Sequence, residues 1–300
     1  MSNFKSGFVS IIGRTNVGKS TLLNSLVKSK VAITVNKSQT TRTAIKAIVN
    51  RENSQIIFID TPGIHKPKTK LGNTMLETAW LTLENSDVTI FLIDATSQKI
   101  KTGDKIILDK IKEKKEKTIL VINKIDLVEK ESLLKLIELY SKEYDFKAII
   151  PISSLKEENI EELLKEIEKI LPEGPAYYDI DEYTDQTERQ LVEEIIREKA
   201  LKLLDEEVPH GIYAEVQKMN LRKTNKKEEI YDIDVVIYTI RESHKGIIIG
   251  KNGIMLKKIG MYARQDIEKA LGIKVNLKIW VKVKENWQEN ASIVSKFKLK

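Results

Sequence analysis

The sequence predicts an α/β protein, with a doubly wound, mostly parallel sheet followed by a smaller α+β domain. Apolar strands alternate with amphipathic helices over the first 170 residues, a proline–glycine break follows at 171–175, and a shorter mixed pattern fills the remainder. Because ligands bind at the carboxyl ends of strands in such sheets, we expect the functional residues of the first domain there.

The first domain is predicted to cover residues 1–171. Its helix candidates are 20–27, 73–85, 104–114, 131–142 and 160–171, and its strand candidates are 8–12, 45–50, 55–60, 88–94, 118–123 and 148–152. The second and third strands are joined only by Arg51 to Ser54, so they are expected to form an antiparallel hairpin at the sheet edge.

Residues 172–187 are predicted to be a linker, because Pro172 and Pro175 flank Gly174 directly after a helix. The second domain, 188–300, is expected to contain helices at 188–206 and 253–271 and strands at 212–220, 230–240 and 273–283. We expect Trp280 to pack in the core of this domain and Trp287 to be partly exposed.

Composition places limits on the class of protein. The chain has no cysteine, which excludes disulfides and thiolate metal sites, and it has no apolar run long enough to span a bilayer. The N-terminus lacks a signal-peptide pattern, so we expect a cytoplasmic protein. Residues 241–300 carry 14 Lys and Arg against 5 Asp and Glu, a balance of +9. This excess fits either a polyanionic partner or a lysine-rich solvated surface.

A phosphate-binding loop is predicted between the first strand and the first helix. Its sequence is Gly13-Arg14-Thr15-Asn16-Val17-Gly18-Lys19-Ser20. Backbone N–H groups in this context surround phosphate oxygens, Lys19 reaches the β- and γ-phosphates, and the Ser20 hydroxyl binds Mg²⁺. The alternative is a glycine turn that contains a lysine by chance.

A guanine-recognition loop is predicted after the fifth strand, at Asn123-Lys124-Ile125-Asp126. The Asp126 carboxylate can accept hydrogen bonds from guanine N1–H and the 2-amino group, which adenine lacks on that edge. An unpaired buried carboxylate is costly, so the site should reject adenine by roughly 10⁴ or more. Asn123 is expected on the N7 side of the base, with the Lys124 stem along the ring and ribose. Taken alone, these residues also fit an ordinary polar turn.

Three further segments complete the predicted nucleotide site. Asp60-Thr61-Pro62-Gly63 ends a strand, where Asp60 would hold the Mg²⁺ hydration shell and the Gly63 N–H would bind the γ-phosphate. A threonine in the segment 39–43 would complete the Mg²⁺ coordination, and we choose Thr41 over Thr40. Ser153 and Ser154 directly follow the last strand of the predicted sheet, and a backbone N–H near Ser154 could donate to guanine O6.

This ordered set of motifs resembles a translation-factor-class P-loop GTPase across residues 6–171. Small GTPases carry a water-positioning glutamine directly after the Gly63 position, and this chain has Ile64 there. In GTPases with such a hydrophobic substitution, a phosphate-loop asparagine often recruits K⁺. Asn16 occupies the matching place, so the resemblance implies that K⁺ there offsets transition-state charge. Lys19, Asn16, Thr41 and Gly63 are then the expected catalytic residues.

The second domain contains a glycine loop that resembles the GxxG loop of a type II KH domain. The loop must approach a sugar–phosphate backbone closely, which requires glycine at both ends. Its setting between an apolar stretch and a helix, inside the basic segment, strengthens the interpretation. The expected RNA-binding residues are Lys245, Ile248, Gly250, Lys251, Asn252, Gly253 and Lys257.

A GTPase domain followed by one type II KH domain resembles the Era family of bacterial ribosome-assembly GTPases over nearly the whole chain. Two departures are Thr15, where the family usually has proline, and Ser154, where it usually has alanine. The resemblance implies a GTP- and GDP-binding switch with Mg²⁺, acting as a monomer. It further implies binding to the 3′ end of small-subunit ribosomal RNA, a role in 30S assembly, and peripheral association with the inner membrane.

Two other functions stay open from the sequence. The chain could be an RNA-binding module with a structural nucleotide site, or a regulatory GTPase at a membrane surface whose basic end binds anionic lipid.

Overall fold

The computed structural model describes residues 4–28, 31–35, 41–64, 67, 69–114, 117–205, 208–223 and 228–297. The chain divides into two compact units, and the main boundary falls between Asp185 and Gln186. Among the described helices, none has both the length and the apolar character needed to cross a membrane.

The first unit contains strands and helices in alternation, as the sequence predicts. Its strands are β1 (Lys5–Ile12), β2 (Ile45–Arg51), β3 (Ser54–Asp60), β4 (Val88–Asp94), β5 (Thr118–Asn123) and β6 (Ala148–Ile152). Its helices are α1 (Lys19–Val27), α2 (Lys70–Glu84), α3 (Thr102–Lys114), α4 (Lys130–Ser141) and α5 (Ile160–Ile170).

The strands of the first unit form one sheet in the order β2-β3-β1-β4-β5-β6. All neighbours are parallel except β2 and β3, which form the expected antiparallel hairpin at the edge. Helices α1 and α5 pack on one face of the sheet, while α2, α3 and α4 pack on the other. The predicted doubly wound fold of P-loop GTPase type is confirmed, and its parallel strands place several loops at one edge.

The segment after α5 does not behave as a free linker. Ser6 donates its backbone N–H to Pro172 O and its hydroxyl to Pro175 O. Further along, Gln55 accepts from Tyr177 N at 2.7 Å, and Thr184 donates to Lys46 O at 2.8 Å. The prolines end the helix as expected, but the following backbone finds partners along β1, β2 and β3, so it belongs to the first unit.

The second unit is a three-stranded sheet with helices on one face. Its strands are β7 (Tyr213–Lys223), β8 (Glu229–Thr239) and β9 (Lys274–Val283), and its main helices are α6 (Glu188–Leu203), α7 (Glu242–Ile249) and α8 (Ile254–Leu271). The sheet order is β7-β8-β9, antiparallel in the first pair and parallel in the second. This α-β-β-α-α-β order agrees with the predicted type II KH arrangement.

Both tryptophan expectations for this unit are wrong. Trp287 is fully buried: its ring lies 4.6 Å from that of Tyr213, and its indole N–H donates to Gly211 O at 2.9 Å. Trp280 is 45% exposed. Its neighbours Ile279 and Val281 pack against the helix-side core, so the strand pleat directs Trp280 to the opposite face of the sheet.

Candidate nucleotide site and nucleic-acid interface

The phosphate loop connects β1 to α1 at the carboxyl end of the sheet. A side chain on Gly13 would place Cβ 2.4 Å from Leu92 O, and one on Gly18 would place it 2.2 Å from Asn123 Nδ2. Gly18 also has φ 103°, which favours glycine. The loop therefore depends on glycine at both ends.

Lys19, the first residue of α1, folds back into this loop. Its ammonium donates to Gly13 O at 3.1 Å and to Arg14 O at 3.0 Å. Burial lowers the pKa of Lys19 to about 8, and the nearby Asp60 carboxylate only partly opposes this effect. A buried ammonium whose acceptors are neutral carbonyls would gain from a charged phosphate oxygen.

The three predicted Mg²⁺-binding side chains converge, although they come from separate segments. Ser20 Oγ donates to Asp60 Oδ2 at 2.8 Å, Thr41 Oγ1 donates to the same oxygen at 3.1 Å, and the two hydroxyls lie 2.9 Å apart. Burial raises the pKa of Asp60, and Lys19, Ser20 and Thr41 oppose that rise. Thr40, the rejected alternative, lies outside the described residues.

The donor set of this cluster fits Mg²⁺. Asp60 Oδ1 is buried and has no hydrogen-bond partner within the described part of the chain. Two hydroxyls and one carboxylate are hard oxygen donors, which Mg²⁺ binds together with waters and phosphate oxygens. An unpaired buried carboxylate oxygen is costly, so a cation or its bound water would relieve it.

The segment after Asp60 is attached to the phosphate loop. Thr61 Oγ1 donates to Ile11 O at 2.8 Å, and Ile64 N donates to Gly13 O at 3.2 Å. A Cβ on Gly63 would lie 2.7 Å from the Thr15 side chain. Pro62 lies between these contacts. Because Ile64 is buried, the position after Gly63 offers no polar side chain to a water molecule. His65 and the rest of 65–66 lie outside the described residues.

Asn123 connects three loops of the site. Its Nδ2 donates to Val17 O at 2.9 Å, and its Oδ1 accepts from Ser154 N at 3.0 Å and from Ser154 Oγ at 2.9 Å. Asp126 accepts a 2.6 Å hydrogen bond from Ser153 Oγ. The phosphate loop, the base loop and the Ser153–Ser154 loop therefore form one hydrogen-bonded assembly, as expected for residues that surround a single nucleotide.

Asn16 and Lys124 meet at the rim of this assembly. Lys124 Nζ donates to Asn16 O at 2.9 Å, and Asn16 has φ 65°. The Asn16 side chain is exposed, so its amide oxygen is accessible to an ion or ligand. The Val17 side chain lies in the core, which leaves only its backbone for the nucleotide.

Sequence reasoning missed two carboxylates at the site. Asp94, at the end of β4, binds Lys124 Nζ at 2.6 Å, and it lies in register with Asn123. Asp104, fully buried at the start of α3, binds Arg14 Nε at 2.9 Å. The position of Asp94 at a strand end was a usable signal. No local pattern connects Arg14 to Asp104, 90 positions away.

Arg14 thus points its side chain towards α3. A Cβ on Gly103 would lie 2.8 Å from Arg14 Cδ, so the stem of the arginine passes close against this glycine. The Arg14 carbonyl oxygen meanwhile accepts from the Lys19 ammonium. Burial and the Asp104 carboxylate raise the pKa of Tyr140, which is hydrogen-bonded to Asp104.

The glycine loop of the second unit joins α7 to α8. Gly250 has φ 71°, Gly253 has φ 76°, and a Cβ on Gly250 would lie 2.7 Å from Met255 Cβ. A Cβ on Gly253 would meet no atom of the described residues within 4 Å, so this side of the loop leaves room for a ligand. Beside the loop is a groove of about 600 Å³ between α8 and β9, lined by Gly253, Leu256, Lys257, Gly260, Met261, Arg264, Leu277 and Ile279.

One predicted RNA contact requires correction. Ile248 is fully buried in the core of the second unit, so it cannot contact RNA. Its neighbour Ile247 is 51% exposed, because it lies on the other side of α7. The other predicted RNA contacts are accessible. Lys251, Asn252 and Lys257 are exposed, and Lys245, Gly250 and Gly253 are partly exposed.

Family comparisons match each unit separately. Residues 8–124 match the family described as "50S ribosome-binding GTPase", and residues 207–288 match the KH domain. A GTPase Era of Caldanaerobacter subterraneus subsp. tengcongensis is 52% identical, covering 98% of this chain and 97% of that relative. GTPase Era of Clostridioides difficile is 51% identical over 98% of both chains.

Two solved structures resemble the whole chain. One is Era in complex with MgGDPNP and nucleotides 1506–1542 of 16S ribosomal RNA, with a TM-score of 0.92, 42% identity and 98% coverage of each chain. The other is a point variant of Aquifex aeolicus Era bound to GDP and tetrafluoroaluminate, also with a TM-score of 0.92 and 42% identity, covering 98% of this chain and 99% of that one.

Proposed function

Because this chain belongs to the Era family of GTPases and is a GTP-hydrolysing enzyme, we propose that it is a Mg²⁺-dependent switch acting on small-subunit ribosomal RNA. GTP and GDP occupy the first unit, and the second unit binds the 3′ end of that RNA. The switch acts in the cytoplasm during 30S assembly. Association with the inner membrane stays an expectation from the family resemblance.

The observation that carries the nucleotide part is the convergence of Ser20, Thr41 and Asp60. Three oxygen-bearing side chains from different segments meet within 3.1 Å, next to the buried Lys19 ammonium. Such a cluster is costly without a cation, because Asp60 has a buried oxygen with no described partner. The cluster lies at the end of a glycine loop, and this position supports binding of a nucleoside triphosphate with Mg²⁺.

In the proposed mechanism a water molecule attacks the γ-phosphate in line with the leaving oxygen. Lys19 stabilises the charge that develops on the phosphate oxygens, and the Gly63 N–H orients the γ-phosphate. Ser20, Thr41 and Asp60 would hold Mg²⁺, and the Asn16 amide oxygen would hold K⁺; both ions supply positive charge. Because Ile64 is buried and apolar, its side chain does not orient the attacking water.

The RNA part of the proposal is supported by the groove beside the glycine loop. Open backbone at Gly253 and cations at Lys257 and Arg264 suit a sugar–phosphate chain, while Leu277 and Ile279 offer an apolar wall for unstacked bases. A relative of the same family has been solved with a 16S ribosomal RNA fragment. Binding of the γ-phosphate by the Gly63 N–H would order the residues that follow it, and hydrolysis would release them.

The test is GTP hydrolysis in K⁺ and in Na⁺, with and without an oligonucleotide of the small-subunit rRNA 3′ end. We expect Lys19-dependent phosphate release that is faster in K⁺, and an Asn16→Ala variant that loses only the K⁺ advantage. RNA affinity should differ between the GDP form and the form with a non-hydrolysable GTP analogue. Equal affinity in both forms would refute the coupling, and phosphate release unchanged in Lys19→Ala would refute the catalytic assignment.

A further inference from the structure

Trp280 is an unusually exposed tryptophan in the middle of a regular strand. Large aromatic side chains are mostly buried, yet this residue is 45% exposed, on the sheet face opposite the helices. Its exposure is not a consequence of a chain end or loop, since β9 continues to Val283. An exposed indole held on a rigid strand is suited to stack a flat ligand.

Lysines flank Trp280 on the same face. Lys278 and Lys282 occupy the alternate positions of β9, so their side chains leave the sheet on the side of the indole. In register, Lys278 lies opposite Asp234, which lies opposite Lys218 on β7. The register therefore places one acidic position between two lysine positions. Within the described chain, Lys278 and Lys282 form no ion pair.

The remaining acidic residues leave this part of the face positive. Asp232 is already bound by Arg222 at 2.5 Å and by Asn276 at 2.8 Å. Glu215 lies on β7, at the far edge of the sheet. Among the strand residues on this face the basic side chains outnumber the acidic ones, and beside an exposed indole this favours a polyanion with aromatic rings over an acidic peptide or a lipid headgroup.

This face is continuous with the groove beside the glycine loop. β9 is an edge strand of the sheet, and its Leu277 and Ile279 line the groove from the inner side. Trp280 follows directly and projects from the outer side of the same strand. A single-stranded chain that leaves the groove can therefore cross the edge of β9 towards the indole.

We propose that Lys278, Trp280 and Lys282, termed the outer β9 surface, form a second single-stranded RNA site. A base adjacent to the groove-bound nucleotides stacks on the Trp280 indole, and the two lysines contact the flanking phosphates. The inference rests on the proposed RNA binding of the second unit, and it assigns that unit a longer footprint than the groove alone provides. Stacking tolerates any base, so this surface adds affinity rather than sequence preference.

RNA length separates the two sites. An RNA of about four nucleotides fills a KH groove, whereas one of about ten extends beyond it. We expect Trp280→Ala to weaken the longer RNA roughly tenfold and to leave the shorter one unchanged, because one base loses its stacking partner. Trp280→Phe should recover most of the affinity. Lys278→Glu with Lys282→Glu should also weaken only the longer RNA, and should reduce the salt slope of its binding by about 0.7 for each phosphate that a lysine no longer neutralises.

Controls distinguish this inference from the proposed function. Lys269→Glu reverses an exposed charge on α8 at a residue that does not line the groove and is not part of the outer β9 surface, so it should leave both affinities unchanged. Gly250→Asp with Gly253→Asp should abolish binding of both RNAs. If wild-type protein binds neither RNA, the proposed function fails. If wild-type protein binds both and Trp280→Ala preserves the ratio of the two affinities, only the outer β9 surface is refuted.

Discussion

Replacing Asn123 by alanine should destabilise the nucleotide-free protein as well as its nucleotide complex. The side chain makes three hydrogen bonds of 2.9–3.0 Å, to Val17 O, Ser154 N and Ser154 Oγ, and it is almost completely buried. At about 1 kcal/mol for each bond, the destabilisation is about 3 kcal/mol, and the unpaired carbonyl and N–H left behind can only increase it.

The assay is urea denaturation of nucleotide-free protein, followed by circular dichroism, and the transition that GDP shifts belongs to the first unit. Asp126→Asn is the matched control. It keeps an oxygen acceptor for Ser153 Oγ, so we expect a change within about 0.5 kcal/mol. A destabilisation of less than about 1 kcal/mol in Asn123→Ala would refute the idea that this residue joins the three loops.

A substitution at Gly18 gives an independent test of the position of the Asn123 side chain. A Cβ there would lie 2.2 Å from Asn123 Nδ2, and the backbone has φ 103°. Gly18→Ala should therefore be destabilising for two reasons, a clash and an unfavourable φ. In the Asn123→Ala background the clash disappears and only the backbone strain of about 1–2 kcal/mol remains. Equal costs of Gly18→Ala in both backgrounds would contradict the close approach of the two residues.

Further predictions concern the Ser20–Thr41–Asp60 cluster, the Asp94–Lys124 ion pair and the glycine loop of the second unit. Thr41→Ala should weaken Mg²⁺-dependent GTP binding more than Mg²⁺-independent GDP binding, measured by titration with and without EDTA, since it removes one of the two hydroxyls beside Asp60. Burial acts to raise the pKa of Asp94, but hydrogen bonds from Lys124 and Thr96 outweigh it and hold the pKa below its ordinary value. The ionised Asp94 therefore stabilises the folded protein fully above the unfolded aspartate pKa of about 4, and this stabilisation is lost as the pH falls through the lower folded pKa. Asp94→Asn should make the free energy of unfolding depend less on pH in that acid window, measured by urea denaturation at several pH values. Gly250→Ala alone should lower RNA affinity and thermal stability together, because its Cβ would meet Met255, whereas Gly253→Ala meets no side chain and should affect stability less.

The parts of the fold that local pattern determines could be predicted from the sequence. The alternation of apolar strands and helices, the glycine loop before Lys19 and the short link after β2 each act over a few residues, and the structure agrees with them. The boundary predicted at Pro172 correctly marks the end of a helix. It could not reveal that the backbone after Pro172 pairs with β1, because that contact is made more than 160 residues away.

Long-range contacts account for most of what the sequence did not reveal. The Arg14–Asp104 pair and the burial of Trp287 under Gly211 O depend on segments far apart in the chain. Trp280 is different, since its exposure was predictable. Leu277, Ile279 and Val281 alternate along β9, so the pleat alone assigns Trp280 to the other face. For Ile248, the same attention to helical position would have favoured the core.

Nucleotide selectivity tests the central claim most directly, namely that Asp126 selects guanine while the phosphate loop and the Ser20–Thr41–Asp60 cluster hold the phosphates and Mg²⁺. Binding of GTP, ATP and xanthosine triphosphate should be measured by calorimetry for wild type and Asp126→Asn. We predict that wild type prefers GTP to ATP by roughly 10⁴ and that the variant shifts its preference to the xanthine nucleotide. Equal binding of GTP and ATP by wild type, or an unchanged preference in Asp126→Asn, would contradict this account.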